Sequence, residues 1–182
     1  MSYSQKNIVI KLVIFIVVIA SSLLNGRMQI NRKIEKIESV FMVGENEDNL
    51  SIYYDLTKID DSMSYTISLA KANQQENNQY IQKIDSLHKR FSKNHTIKEY
   101  NEWYKDVEEV YPLALSHLES ISLSNEHQKM LSKYKATYNS SIHTIAYSPY
   151  NEYVRLYNKE TGGFIAKIIK AVTKVREVTT FD

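Results

Sequence analysis

Five histidines are the side chains best suited to bind a metal or transfer a proton, and they lie at His88, His95, His117, His127 and His143. No two of them are three or four residues apart, and no HExxH run occurs. A metal site would therefore need side chains that are distant in the sequence to converge, and solvated or helix-capping histidines are the simpler interpretation. The chain has no Cys, which excludes a thiolate metal site, a cysteine nucleophile and a disulfide framework.

Acidic residues form a second group with chemical potential. Asp60 and Asp61 follow Asp55 and the acidic stretch 45–48. A solvated helix end is the simpler interpretation, and a divalent-cation site is the alternative. Glu108-Glu109 lacks the Glu-x-x-His arrangement of di-iron bundles, and the chain has neither a glycine-rich phosphate loop nor a nucleophile elbow. We therefore expect a non-enzymatic protein with no catalytic residue, no cofactor and no metal.

A repeated Tyr-Asn pair is the most distinctive local pattern, and it consists of Tyr150, Asn151, Val154, Tyr157 and Asn158. The two tyrosines are seven residues apart, so they share a helix face with the valine, and the asparagines form the adjacent row. Tyrosine buries a large apolar ring and keeps its hydroxyl for a partner at the rim. We expect these residues to pack between helices. A ligand-binding Tyr/Asn groove is the alternative.

A basic amphipathic pattern occupies residues 164–178 and predicts a C-terminal helix. Its apolar stripe contains Phe164, Ile165, Ile168, Ile169, Val172 and Val175, and its cations Lys167, Lys170, Lys174 and Arg176 lie largely off that stripe. The simpler interpretation is a bundle helix with a solvated basic face. In the alternative, these four cations contact an anionic membrane surface and tether this end of the chain to it.

Residues 8–24 read IVIKLVIFIVVIASSLL and predict a transmembrane helix. Seventeen residues span roughly 25 Å, and Lys11 lies near enough to one end to reach the headgroups. We expect an uncleaved anchor over residues 1–26, because a helical pattern continues directly from Arg27. A cleaved signal peptide is the alternative, since small residues occur at 20–22. More Lys and Arg follow the segment than precede it, which favours a cytoplasmic domain.

Helical periodicity dominates residues 27–182, and only four Gly and two Pro interrupt it. A heptad-like, coiled-coil stripe begins at Ile52 and predicts one helix of about 40 residues reaching Phe91. Thr96 and Glu99 have the spacing of a capping box, and Pro112 should end or kink the helix that follows. We therefore predict an all-α fold: an N-terminal transmembrane helix and an antiparallel bundle of long helices over 27–182. The net charge of +2 argues against a nucleic-acid partner.

The segment Tyr138–Lys170 resembles the C-terminal half of the LemA family of bacterial membrane proteins. The run YNEYVRLYN at 150–158 is similar to that family's repeated Tyr-Asn pair, and residues 164–167 and 178–181 resemble its apolar–Ala–Lys run and its aromatic end. Tyr147, where an Arg is usual, and Pro149 depart from the pattern. The family's Arg-Arg and Leu-Ile-Pro-Asn signature is absent near 71–87, as is its Pro after the second pair.

The resemblance implies a single-pass protein of the bacterial inner membrane with no known catalytic residues. Its partners would be the lipid bilayer and other proteins that the sequence does not name. A periplasmic or extracellular four-helix-bundle sensory or ligand-binding module that works with a partner chain is the alternative. Such a sensor normally has a second transmembrane helix and a downstream signalling domain, whereas this sequence has one apolar span.

Overall fold

The structure is a computed structural model that describes residues 3–45, 50–93 and 95–181, with side chains from residue 7 onward. These residues form seven α-helices and no strand, so the predicted all-α fold is confirmed for the described part of the chain. The helices are α1 (Tyr3–Val43), α2 (Ile52–Ala72), α3 (Gln79–Phe91), α4 (Ile97–Glu119), α5 (Asn125–Ala146), α6 (Tyr150–Glu160) and α7 (Phe164–Thr173).

The chain divides into two compact units. Unit 1 comprises Met1–Glu38 and Glu152–Val178, and unit 2 comprises Ser39–Asn151 and Thr179–Asp182. The domain boundary predicted at residue 26 falls inside α1, which continues without a break to Val43. The helix then ends at Gly44, whose φ of 92° is readily reached only without a side chain.

Unit 2 contains a four-helix bundle in which α2 packs against α3, α4 and α5. Helix α5 runs antiparallel to α2. Tyr65 of α2 stacks on Tyr134 of α5 at 4.7 Å, and the earlier Asp55 bonds to the later Ser141. The core is filled by large side chains that are almost completely enclosed, including Phe41, Trp103, Tyr111 and Tyr150. Burial of such rings is the main stabilising contribution to a bundle of this size.

Three polar pairs connect α2 to its neighbours inside unit 2. The Asp60 carboxylate forms a hydrogen bond of 2.8 Å with the His88 ring of α3, and the Thr66 hydroxyl forms one of 2.9 Å with the Tyr111 hydroxyl of α4. The Ser141 hydroxyl of α5 donates to Asp55 at 3.1 Å. Because a buried polar group left without a partner costs free energy, these pairs favour one alignment of the helices over shifted ones.

The structure contradicts one local prediction and excludes one of the two alternatives in another. The helix predicted from residue 52 to 91 breaks at Asn73–Asn78, where Gln74 adopts a φ of 57°. This stretch has no apolar side chain to bury, so the core cannot hold it in a helix. Pro112 lies inside α4 and does not end it. Tyr111, Ala114 and Leu115 around the proline are buried, and their packing maintains the helix despite one lost hydrogen bond.

Unit 1 contains most of α1 and α6 together with α7. In α1, the side chains of the apolar stretch up to Leu24 are mostly exposed, whereas Ile30, Ile34 and Ile37 are buried. Among the described residues, α1 is the one helix that is long and apolar enough to cross a membrane, and none of its apolar stretch is buried. A core helix of the same composition would be enclosed.

Helix α7 is shorter than predicted. It ends at Thr173 rather than at 178, and Lys174 closes it in a left-handed conformation with a φ of 51°. At its other end, Gly163 provides no side chain to cap the first amide groups. Gly162 and Gly163 lie between α6 and α7.

Candidate functional site

The first half of the Tyr-Asn motif binds the chain's own residues 179–181 within unit 2. Tyr150 is completely buried, and its hydroxyl donates to the Thr179 carbonyl at 2.9 Å. The Asn151 amide pairs with the backbone of Phe181 in both directions: its Nδ2 donates to the carbonyl at 2.7 Å, and its Oδ1 accepts from the N–H at 2.8 Å. The asparagine thus hydrogen-bonds an extended segment as a neighbouring β-strand would.

Phe181 lies in an aromatic pocket of unit 2. Its side chain is 3% exposed, and its ring lies 5.5 Å from that of Phe41 and 5.4 Å from that of Tyr104. Asn101 adds a longer hydrogen bond, 3.4 Å, to the Thr180 carbonyl. Burial raises the pKa of Tyr104, so that its phenol stays neutral. The side chains that form this pocket come from α1, α4 and α6, which no local sequence pattern relates to one another.

The second half of the motif lies in unit 1. Val154 and Tyr157 are buried, which agrees with the packing prediction, whereas Asn158 is exposed. The Lys170 ammonium lies 4.5 Å from the centre of the Tyr157 ring and donates to the Thr161 hydroxyl at 2.6 Å. This arrangement is a cation–π contact. Partial burial lowers the pKa of Lys170 and raises that of the Tyr157 hydroxyl.

The four cations predicted to contact a membrane have different surroundings. Lys167 is exposed on α7, and Lys174 is exposed at its end. Lys170 is bonded within unit 1, and Arg176 forms an ion pair with Glu38 at 2.6 Å. Two of the four thus make contacts inside unit 1 that compete with a role as membrane-facing charges.

The apolar face of α7 is exposed, which differs from the packing expected of a bundle helix. Its exposed fractions are 79% for Phe164, 73% for Ile165, 42% for Ile168 and 61% for Val172, and no residue of α7 is buried. Sequence reasoning missed this feature because an apolar stripe has the same periodicity whether it faces a core or a different medium. Two features of the sequence could have indicated this exposure: the two glycines before α7 and the small number of polar residues within it.

The acidic and histidine side chains do not assemble a metal site in the part of the chain that the structure describes. Asp55 and Asp60 are buried and hydrogen-bonded, which corrects the prediction of a solvated helix end. Burial raises the pKa of Asp60, and its hydrogen bond with His88 opposes that shift. His117 and His127 bond to Gln75 and Asn73, so they serve as helix-to-loop contacts. The acidic residues 47 and 48 lie outside the described residues.

No protein-family model, curated protein or solved structure matches this chain. The resemblance to the LemA family therefore stays a prediction that rests on the motif residues quoted above.

Proposed function

We propose that this chain is a non-enzymatic, single-pass membrane protein of LemA type whose helical bundle acts through contacts with other proteins or with the bilayer. The observation that carries the proposal is the exposed apolar stretch of α1, which ends at Leu24. This segment of seventeen residues, fourteen of them apolar, would be strongly unfavourable in water, and burial in hydrocarbon removes that cost. We place the protein in the bacterial inner membrane with its bundle on the cytoplasmic side.

Retention of the segment is favoured over cleavage by the continuity of α1. A signal peptidase cuts an extended segment, whereas α1 remains helical through the small residues Ala20 and Ser21 and on to Val43. The same helix carries the buried side chains of Ile30, Ile34 and Ile37. Removal of the N-terminal segment would therefore cut into a helix that is otherwise packed.

A role in binding rather than catalysis is supported by how the polar side chains of unit 2 are used. The buried carboxylates and hydroxyls that could do chemistry are paired across helix boundaries, as in Asp55–Ser141 and Thr66–Tyr111. Paired groups of this kind align helices and leave little reactivity toward a substrate. The proposed protein thus offers a rigid folded surface near a membrane.

Membrane extraction tests the anchor. We expect the full chain to stay in the membrane pellet after alkaline carbonate treatment, and the double variant Ile14→Arg/Val17→Arg to be released. Each arginine near the middle of a transmembrane helix costs about 2.5–3.5 kcal/mol. The matched control is Leu113→Arg/Leu156→Arg, which changes two side chains that are similarly exposed but lie outside the anchor. Release of the unmodified chain would contradict the proposal, as would equal release of both variants.

Crosslinking in native membranes tests the proposed contacts. Photoreactive groups at exposed bundle positions such as Tyr54 and Tyr65 should capture the same partner protein repeatedly. Capture of a receptor chain with its own signalling domain would instead favour the sensory module.

Protease treatment of intact spheroplasts tests the orientation. It should leave the bundle uncut, and rapid digestion would reverse the orientation proposed here.

A further inference from the structure

Helix α7 has an amphipathic arrangement in which the exposed side is apolar. At about 100° per residue, Phe164, Ile168, Val172 and Ile165 occupy one arc of roughly 100°. Ile169, Thr173 and Lys170 follow on the next part of the circumference, and the exposed Lys167 lies on the other flank. Soluble proteins rarely expose such a continuous apolar surface unless it binds something.

Within unit 1, helix α7 packs beside α1 close to the end of the apolar stretch of α1. Ile169 lies against Gly26 of α1 so closely that a Cβ at Gly26 would be 2.5 Å from the Ile169 Cδ1 atom. Gly26 is two residues after Leu24, which corresponds to about 3 Å along the helix axis. A groove of about 640 Å³ runs between the two helices and is lined by Gly26, Ile30, Phe164, Ile165 and Ile169. The exposed apolar arc therefore begins where the apolar stretch of α1 ends.

The charges of unit 1 fit the same location. Arg27 and Lys167 are exposed, one beside Gly26 on α1 and the other on the flank of the α7 arc. Lys170 and Arg176 are bonded inside unit 1 to Thr161 and Glu38, respectively. Basic side chains that flank an apolar face are typical of helices that lie in the interface of a bilayer.

We propose that α7 is an interfacial membrane helix that inserts Phe164, Ile165, Ile168 and Val172 into the bilayer surface at the point where α1 leaves it. The partner is the lipid bilayer itself, and the contact is apolar rather than electrostatic. This inference rests on the proposed anchoring of α1. It replaces the membrane contact predicted from the basic residues with one made by the opposite set of side chains.

Spin labelling of the full chain in lipid nanodiscs tests the proposal. The chain has no native Cys, so Phe164→Cys, Ile168→Cys, Val172→Cys and the control Lys167→Cys each give one nitroxide site. Power saturation compares collisions with oxygen, which concentrates in lipid, and with a water-soluble nickel chelate. We expect the three apolar positions to favour oxygen and Lys167→Cys to favour the chelate. Ile16→Cys, inside the proposed anchor, is the reference for lipid exposure.

The outcomes separate the two proposals. If Ile16→Cys favours oxygen while the α7 positions favour the chelate, α1 is anchored and the inference about α7 is overturned. If Ile16→Cys also favours the chelate, both proposals fail. Low access for both agents at the α7 positions would mean that protein, such as a second copy of the chain, covers the surface, and this too would overturn the inference.

Lipid composition distinguishes apolar insertion from charge attraction. The preference for oxygen at the α7 positions should be the same in nanodiscs of phosphatidylcholine alone and in nanodiscs that contain phosphatidylglycerol. It should also persist in high salt, because salt screens charge pairs and leaves apolar contacts in place. A preference seen only with the anionic lipid would contradict the proposal and support the tether predicted from the basic residues.

Discussion

In the bundle of unit 2, most large apolar side chains are enclosed, whereas in α7 of unit 1 most of them are exposed. Trp103 and Tyr111 have no exposed surface, while Phe164 and Ile165 are more than 70% exposed. The bundle helices also have side-chain caps, such as Ser51 and Thr96, and α7 has none. A ten-residue helix without a cap or a buried face is marginal in water. Unit 2 is therefore suited to water, whereas α7 is suited to an apolar surface.

The largest effect is expected from Trp103→Ala in the core of unit 2. The Trp103 side chain is completely buried, and its Nε1 donates to the Leu87 carbonyl at 2.8 Å. Loss of this side chain should lower the free energy of unfolding by about 3–5 kcal/mol. Chemical denaturation in detergent micelles, followed by circular dichroism, measures it. The control Leu113→Ala, at an exposed position of the same helix, should change it by less than about 0.5 kcal/mol. An equal effect of both variants would end the contrast between enclosed and exposed positions.

The next largest effect concerns the attachment of residues 179–181. Asn151→Ala removes both hydrogen bonds to Phe181 and should cost about 1–3 kcal/mol locally. Hydrogen exchange at the Phe181 amide should accelerate about tenfold or more, since each factor of ten corresponds to about 1.4 kcal/mol. The matched control is Asn158→Ala, the exposed asparagine of the same motif. Unchanged exchange in Asn151→Ala would show that the aromatic pocket alone holds the segment.

Asp60 makes a pH-dependent prediction for the interior of unit 2. Burial raises its pKa above the ordinary value of 3.8, so the folded state binds this proton more tightly than the unfolded chain does. Its contribution to stability is therefore greatest below that ordinary value and falls as the pH rises through the folded pKa. The unfolding free energy of the native chain minus that of Asp60→Asn should therefore decrease as the pH rises from below 3.8 through the folded pKa.

Asp61→Asn is the comparison for Asp60→Asn: it removes one charge from the exposed neighbouring residue, which is the smallest of the causes that shift the Asp60 pKa, so its pH-dependent effect should be smaller. A difference that grows with pH in the Asp60 variant would mean that the His88 hydrogen bond outweighs the burial of the carboxylate.

The smallest effect is expected where α7 meets α1. Gly26→Ala gains helix propensity of up to about 1 kcal/mol but places a Cβ against the Ile169 Cδ1 atom. Ile169→Val removes that atom. The stability gained from Gly26→Ala should therefore be larger in the Ile169→Val background than in the native chain. Hydrogen exchange of the α7 amides in nanodiscs measures the coupling, which we expect to be a few tenths of a kcal/mol. Strict additivity would show that the two residues are not in contact.

The helices of unit 2 could be predicted from the sequence because local signals and core packing agree there. The stripe predicted along α2 is completely buried, and it comprises Ile52, Leu56, Ile59, Met63, Ile67 and Ala70. The capping box at Thr96 is also confirmed: Thr96 accepts from the Glu99 amide, and Glu99 accepts from the Thr96 amide. The Glu99 carboxylate accepts from the backbone amide of His95 and from the hydroxyl and amide of Thr96, and these bonds, the one from His95 first, hold the pKa of Glu99 below its ordinary value.

The candidate site was harder to predict because its members are distant in the sequence. Asn151 and Phe181 are thirty residues apart, and nothing in their spacing indicates a hydrogen-bonded pair. The apolar stripe of α7 could be predicted from the sequence, but its exposure could not. Lipid tails are as apolar as leucine, so the same stripe suits a protein core and a bilayer surface equally well. The exposed fractions of Phe164, Ile165 and Val172 distinguish the two, and they can be read only from the structure.

The enclosed position of Trp103 has an optical consequence. It is the one tryptophan of the chain, so ultraviolet emission excited near 295 nm arises almost entirely from the interior of the bundle. Its emission maximum should therefore be blue-shifted in the folded chain and move to longer wavelength when the bundle opens. The native chain thus carries its own fluorescent indicator of unit 2, which neither the anchor nor α7 obscures.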